Sequence, residues 1–302
     1  MIFLWIIGIL IIVAIFLTFL ILRSFRVPRT LHHLTPEKSG IPYIEMKFPS
    51  KNNCHLYGWW MPSQNESSHP APTLILVHGW GRNAGYMLPY IKKLYPFGYN
   101  LLAFDLRSHG NSDSDKHPNM LQFSEDIRAA IEFILKQDTA KPGEIGVMGL
   151  SVGGSAAIHA TAFDNRIKSV ITIGAFANPV DIMRQKFHKK HIPFFPFMWL
   201  LMKYFQFKMG TKFEQIAPVN IIKNTKANIF LIHCSDDKIV PVEHGEKLKN
   251  AANPETTKLW VVPGKGHSNC NNHPEFWSKV NSFLKDSIPI VIKNQSVTSL
   301  AD

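Results

Sequence analysis

Gly149-Leu150-Ser151-Val152-Gly153 is a G-x-S-x-G pentapeptide, and its surroundings give it chemical meaning. Residues 144–150 run into it as a strand-like stretch, and the small residues at 154–160 lead out of it as the start of a helix. A serine between a strand and a helix sits on a sharp turn with its hydroxyl projecting beyond the sheet. Glycines flank such a serine because a Cβ there would strike the neighbouring strand or helix. The pentapeptide alone is a weak signal, and a serine hydroxyl is a weak nucleophile. It needs a neighbouring base, and the base needs an acid to orient it. Both lie downstream: Asp237 follows an apolar run at 228–233, and His267 follows another at 258–262. The order Ser, Asp, His, each after a strand, is that of the nucleophile-elbow architecture. Asp236 competes with Asp237, and His273 with His267; the register Asp237-Lys-Ile-Val-Pro241 favours Asp237.

The elements that must position these groups follow from the apolar periodicity. Residues 43–48 and 55–61 read as a hairpin, with further strands at 73–77, 99–105, 144–150, 168–173, 228–233 and 258–262. Helices are expected at 84–94, 121–137, 243–252 and 274–285. Strands alternating with helices imply a mostly parallel sheet covered on both faces, and in such sheets reacting groups gather at the carboxyl ends of the strands. Residues 177–222 break the rhythm, because they lie between two expected strands and contain none. An insertion of that size between core elements is usually functional.

In these residues the chain resembles the α/β-hydrolases. His78-Gly-Trp-Gly81 resembles that family's oxyanion loop, and Phe104-Asp-Leu-Arg-Ser-His-Gly-Asn-Ser112 resembles its D-x-R-G-H-G-x-S segment, with Ser108 where glycine is usual. The resemblance spans about residues 43–286. It implies an α/β-hydrolase fold, with a central, mostly parallel sheet flanked by helices and a helical lid at 177–222. Within the superfamily the chain is similar to carboxylesterases, acyl-lipid lipases and prolyl-oligopeptidase or serine-aminopeptidase-like peptidases. The roles that follow are Ser151 as nucleophile, His267 as base and Asp237 as the acid that orients it. The backbone N–H groups of Trp80 and Val152 are expected to form the oxyanion hole, leaving the Trp80 indole to line an acyl pocket. His78 and His109 are expected to structure loops. No cofactor is implied. A metal reading of His188-Lys-Lys-His191 is unattractive, since lysines intervene and no Asp, Glu or Cys is close.

The rest of the chain bounds the setting. With 302 residues and 45% hydrophobic content it can hold one large α/β domain or two small ones. Residues 1–22 carry no charge and are long enough to cross a bilayer as a helix. Arg23, Arg26, Arg29 and Lys38 follow that span and no basic residue precedes it, which places the domain on the cytoplasmic side of a single-pass anchor. Residues 23–42 read as a basic tether and 287–302 as a tail. The net charge of +11 brings no nucleic-acid motif with it and suits anionic lipid better. Cys54, Cys234 and Cys270 show no disulfide pattern and are expected to pack as ordinary core residues. The aromatic run at 193–209 suggests a lid in which Phe194, Phe195 and Trp199 meet the substrate and lysines meet headgroups; an ordinary cap packed on the core is the alternative. The resulting expectation is a membrane-anchored serine hydrolase cleaving esters or thioesters of hydrophobic acyl groups. A serine peptidase using the same triad, or a silent membrane-tethered scaffold, are the alternatives.

Overall fold

The computed structural model describes residues 27–64, 70–116, 118–189, 191–267 and 269–291, with isolated positions 5, 8, 9, 12, 16 and 23. The span expected over 1–22 lies, those isolated positions aside, outside the described residues, and so does the tail from 292 onward. Among the described residues no helix is long and apolar enough to cross a membrane.

Eight strands form one sheet: β1 (Ile44–Pro49), β2 (His55–Met61), β3 (Ala71–Val77), β4 (Asn100–Phe104), β5 (Ala140–Leu150), β6 (Ile167–Ile173), β7 (Asn228–Cys234) and β8 (Thr257–Val262). Their spatial order is β1-β2-β4-β3-β5-β6-β7-β8. The hairpin β1–β2 joins antiparallel to the β4 edge, and every pairing from β4 through β8 is parallel. This is the α/β-hydrolase fold.

The period-two alternation of a strand sorts the core into two layers. On β3, Ile75 and Val77 enter one apolar cluster while Leu74 and Leu76 enter the other. The first layer is closed by α2 (Met120–Ile134) and α3 (Val152–Thr161), the second by α1 (Leu88–Leu94) and α9 (Phe276–Ser287). On α2 the buried positions Phe123, Ile127, Ala130, Ile131 and Ile134 keep a helical spacing, and Asn119 caps its start by accepting from the Gln122 N–H. The helix α8 (Glu243–Ala251) joins β7 to β8. The insertion consists of α4 (Pro179–Lys189), a turn at Phe194–Met198, α5 (Trp199–Met209) and the short helices α6 (Phe213–Ile216) and α7 (Pro218–Ile221).

Two polar clamps fix the loops at the carboxyl edge of the sheet. Arg107, fully buried, donates from its guanidinium to Asp126 on α2 at 2.7 Å and to Asp115 at 2.8 Å. The loop after β4 is thereby tied to the helix packed beneath it. The second clamp departs from the tether expected over 23–42 at residues 29–32. Over residues 29–32 the chain is bound to the domain: Arg29 donates to Ser112 O, and the carbonyls of Thr30 and Leu31 accept from the Asn83 side chain. His32 Nε2 meets Asp105 Oδ2 at 2.7 Å, and its ring packs 4.8 Å from Trp59. A basic, proline-punctuated composition reads as linker because its binding partners are distant loops.

Asp126→Ala would leave the buried Arg107 without its main partner. We expect a loss of about 3–5 kcal/mol, read as a lower urea midpoint. A loss below about 1 kcal/mol would show that the clamp is dispensable.

Candidate active site

Ser151 stands at the junction of β5 and α3 with φ 53° and ψ −121°, a conformation outside the ordinary regions for a side-chain-bearing residue. Close packing enforces it. A Cβ on Gly149 would lie 2.5 Å from the backbone of Gly153, and one on Gly153 would lie 2.6 Å from His78 O. Both glycines of the pentapeptide are therefore required by approach of backbone to backbone. The Ser151 N–H donates to Ile173 O at 2.8 Å, which holds the turn against β6.

The two residues expected as base and acid, His267 and Asp237, lie in contact. His267 Nδ1 donates to Asp237 Oδ2 at 2.5 Å. The other carboxylate oxygen, Oδ1, accepts from the N–H groups of Ile239 and Val240, each at 2.9 Å. Burial alone would raise the Asp237 carboxyl, but the bonds from His267 and from those amides outweigh it and hold it below the usual range. Asp236 is exposed and accepts from Ser235 instead, and His273 lies against Trp260. Of these candidates, Asp237 and His267 are the two that hydrogen-bond to each other. His233, on β7, donates from Nε2 to Val240 O at 2.7 Å and braces the acid loop.

No hydrogen bond joins Ser151 Oγ to His267 in this arrangement; such contacts often close only around substrate. Both residues nevertheless border the same short stretch. Ser151 is bonded to Ile173, and an added Cβ on the next residue, Gly174, would lie 3.1 Å from the His267 ring and 3.3 Å from Asp237 Oδ2.

Val152 opens α3, so its N–H has no partner within the helix. Trp80 lies in the loop after β3, and its N–H makes no backbone hydrogen bond among the described residues. The histidines of this region hold loops. His78 donates from Nδ1 to Gly79 O at 2.8 Å and accepts the Leu106 N–H at Nε2. His109 donates from Nδ1 to Arg107 O and accepts the Gly81 N–H at Nε2. Each imidazole uses both nitrogens as a neutral ring, and burial pushes His78 down and His109 down to about 3. Asp105 extends the brace, accepting from the N–H groups of Ala84 and Asn111 as well as from His32. Composition alone assigned no role to Asp105 or His32. Ser108 has φ 65°, which explains why glycine is usual there, and its hydroxyl closes the turn by accepting the Asp115 N–H at 2.9 Å.

A cavity of about 1480 Å³ opens beside Ser151, Val152 and Trp80. Its apolar wall includes Ile182 and Met183 from α4, Phe205 and Met209 from α5, and Phe213 and Ile216 from α6. Phe194, Phe195 and Trp199, expected to meet substrate, are not among its lining and are exposed. Helical phase explains the difference for Trp199, and the phase is that of α5: positions 198, 202, 205 and 209 form one inward stripe, while 199, 200, 203 and 207 point away; Phe194 and Phe195 lie in the turn before the helix. Trp80 is among the cavity's lining residues, and its indole rests edge-on against His109 at 5.7 Å.

The cysteines depart from expectation. Cys234, at the end of β7, and Cys270, three residues beyond His267, form a disulfide, and only Cys54 is an ordinary buried thiol. The two residues are separated by 36 positions and meet because the loops carrying the acid and base adjoin. No cluster of three or more His, Cys, Asp or Glu able to hold a metal occurs among the described residues.

Known proteins share this arrangement of elements. Residues 68–218, half of the chain, match the model of the family described as "Serine aminopeptidase, S33". The chain is 24% identical over 225 residues to the uncharacterized protein YfhR of Escherichia coli strain K12, covering 74% of this chain and 72% of that protein. It is 29% identical over 144 residues to the thiohydrolase aneE of Aspergillus aculeatus, covering 46% and 44% respectively. The solved structure of the Pyrococcus furiosus esterase Pf2001 superimposes with a TM-score of 0.68 at 25% identity, covering 87% of this chain and 99% of that one.

The buried neutral histidines make the fold acid-sensitive. Burial lowers His78, His109, His159, His233 and His244, with His109 at about 3 and His159 at about 4. Unfolded, each protonates near 6.5, so the unfolded chain binds more protons at acid pH. Their contribution is complete above about pH 6.5 and is lost progressively as pH falls towards the folded values. The urea midpoint should therefore drop between about pH 7.5 and about pH 5. An unchanged midpoint would contradict the burial of neutral rings.

Proposed function

The chain belongs to the serine aminopeptidase S33 family of α/β-hydrolases, and on that premise we propose a serine hydrolase that cleaves carboxylic esters or thioesters of hydrophobic acyl groups. The observation that carries this reading is the His267–Asp237 pair beside Gly174, next to the Ile173 carbonyl that holds the strained elbow of Ser151, with Ser151 itself lining a cavity that has an apolar wall. Ser151 Oγ attacks the acyl carbonyl carbon while His267 Nε2 takes its proton. The oxyanion of the tetrahedral intermediate is held by the N–H groups of Trp80 and Val152. As the intermediate collapses, the bond to the leaving oxygen or sulfur breaks, and His267 returns the proton to it. Water, deprotonated by the same imidazole, then releases the acid and restores Ser151. Asp237, held ionised by three N–H donors, keeps the imidazole in the required tautomer and stabilises its positive charge.

The peptidase alternative takes support from the family's description. An aminopeptidase must bind the substrate's free α-ammonium, which calls for an available carboxylate. Among the described residues the carboxylates that line the cavity are those of Asp115 and Glu125, and both are already ion-paired, with Arg107 at 2.8 Å and Lys51 at 2.9 Å. That favours the acyl ester or thioester. Phe205 and Met209 lie where an acyl chain would run.

The uncharged run 1–22 supports a single-pass anchor, and the basic residues after it support a cytoplasmic domain. The Cys234–Cys270 bond is the observation against that side, since reducing compartments disfavour disulfides.

The test is turnover of nitrophenyl esters of increasing acyl length, acyl thioesters and aminoacyl nitroanilides by the full chain in detergent, beside Ser151→Ala and Asp237→Asn. We expect ester or thioester turnover that rises with chain length, is absent in Ser151→Ala and falls about 10⁴-fold in Asp237→Asn. Serine-dependent turnover confined to the nitroanilides would establish the peptidase instead.

A further inference from the structure

Between Asp181 and Glu214 the chain carries seven Lys and Arg residues and no Asp or Glu, together with a dense run of Phe, Trp, Leu and Met. The inward stripe of α5 accounts for only part of that apolar content. On the opposite face Phe207 is 82% exposed, Leu200 55% and Trp199 42%, and Phe195, in the turn before the helix, is 70% exposed. Cations stand over these rings. The Arg184 guanidinium lies 4.9 Å from the Phe194 centroid, and Lys203 Nζ lies 5.9 Å from the Trp199 centroid.

An isolated exposed apolar residue needs no explanation, but a contiguous set of large ones on a single element marks a surface meant to be covered. The chemistry selects the cover. Aromatic and aliphatic side chains projecting between lysines and arginines form the interfacial pattern of helices that lie in the headgroup layer, apolar tips in the acyl boundary and ammonium groups among phosphates. A second copy of this chain would set its own cations against these and be repelled.

We propose that the outer face of α5, with the preceding turn, docks on a bilayer surface rich in anionic phospholipid. The occupant is the lipid surface itself, recognised by its negative charge and shallow hydrocarbon. The site does not rest on the acyl-hydrolase reading, because none of its residues belongs to the Ser151 machinery. Docking would place the cavity wall formed by Phe205 and Met209 on the side of the same helix facing away from the lipid, a short distance from the bilayer.

The test reads the face itself, so that membrane binding elsewhere in the chain does not score. An environment-sensitive fluorophore is attached to Phe207→Cys in the full chain. The native cysteines do not compete: Cys54 is buried, with its thiol pushed up to about 11 chiefly by that burial, and Cys234 and Cys270 are bonded to each other. Vesicles of phosphatidylcholine with phosphatidylglycerol should shift the emission to the blue, and vesicles of phosphatidylcholine alone should not. In Arg184→Gln/Lys203→Gln the concentration of anionic lipid needed for half the shift should rise about twenty-five-fold, about fivefold for each cation removed. Turnover of a short soluble ester should be unchanged in that variant, which confirms that it folds. No shift with either vesicle, or equal shifts with both, would overturn the proposal. A shift that depends on protein concentration without lipid would overturn it in favour of self-association. A shift produced by soluble polyglutamate and not by vesicles would overturn it in favour of an acidic protein partner.

Discussion

Everything at this site hangs on backbone meeting backbone at the elbow. The end of β5 and the start of α3 approach so closely that positions 149 and 153 have no room for a Cβ, and the strain falls on Ser151. A non-glycine residue at positive φ costs about 1–3 kcal/mol and persists only where the surroundings over-determine it. Here they do. α3 is buried along its whole length, β5 lies in the middle of an eight-stranded sheet, and the Ser151 N–H is committed to β6. At the same turn the Val152 N–H, at the first position of α3, is left without a partner inside the helix.

The second layer is a set of loops fixed by neutral imidazoles and buried carboxylates. His78 and His109 each donate with one nitrogen and accept with the other, so neither could protonate without breaking a contact to the loops at 79–81 and 105–109. Asp105 gathers three donors, one of them His32 from the segment that follows the apolar amino terminus. The position of the Trp80 N–H thus depends on contacts reaching back to residue 32. On the far side, His233 and the Cys234–Cys270 bond hold together the loops that carry Asp237 and His267. Preorganisation of this kind is what makes a few N–H donors effective in a site shielded from water.

The sheet was legible because strands buried on both faces, such as 73–77, leave uninterrupted apolar runs, and the triad candidates were legible because each follows such a run. Ser108 stood out as a departure from a pattern, but the positive φ that makes glycine usual there appears only once the turn is built. Three features resisted. The α5 helix is apolar nearly all round, so its composition announces an apolar element without giving the phase that turns Phe205 inward and Trp199 outward. His32 is one histidine in a polar segment, and its partner lies 73 residues away. The cysteines are 36 residues apart with no motif between them, and they meet only because β7 and β8 are neighbours in the sheet.

We propose that this geometry activates Ser151 alone as a nucleophile. The direct measurement is reaction of the full chain with a fluorophosphonate, followed by peptide mass spectrometry. One phosphonyl adduct is expected, on the peptide containing Gly149-Leu150-Ser151-Val152-Gly153, formed far more slowly when Asp237 is replaced by Asn. An unlabelled chain under conditions where a known serine esterase is fully modified, or an adduct on any other residue, would contradict it.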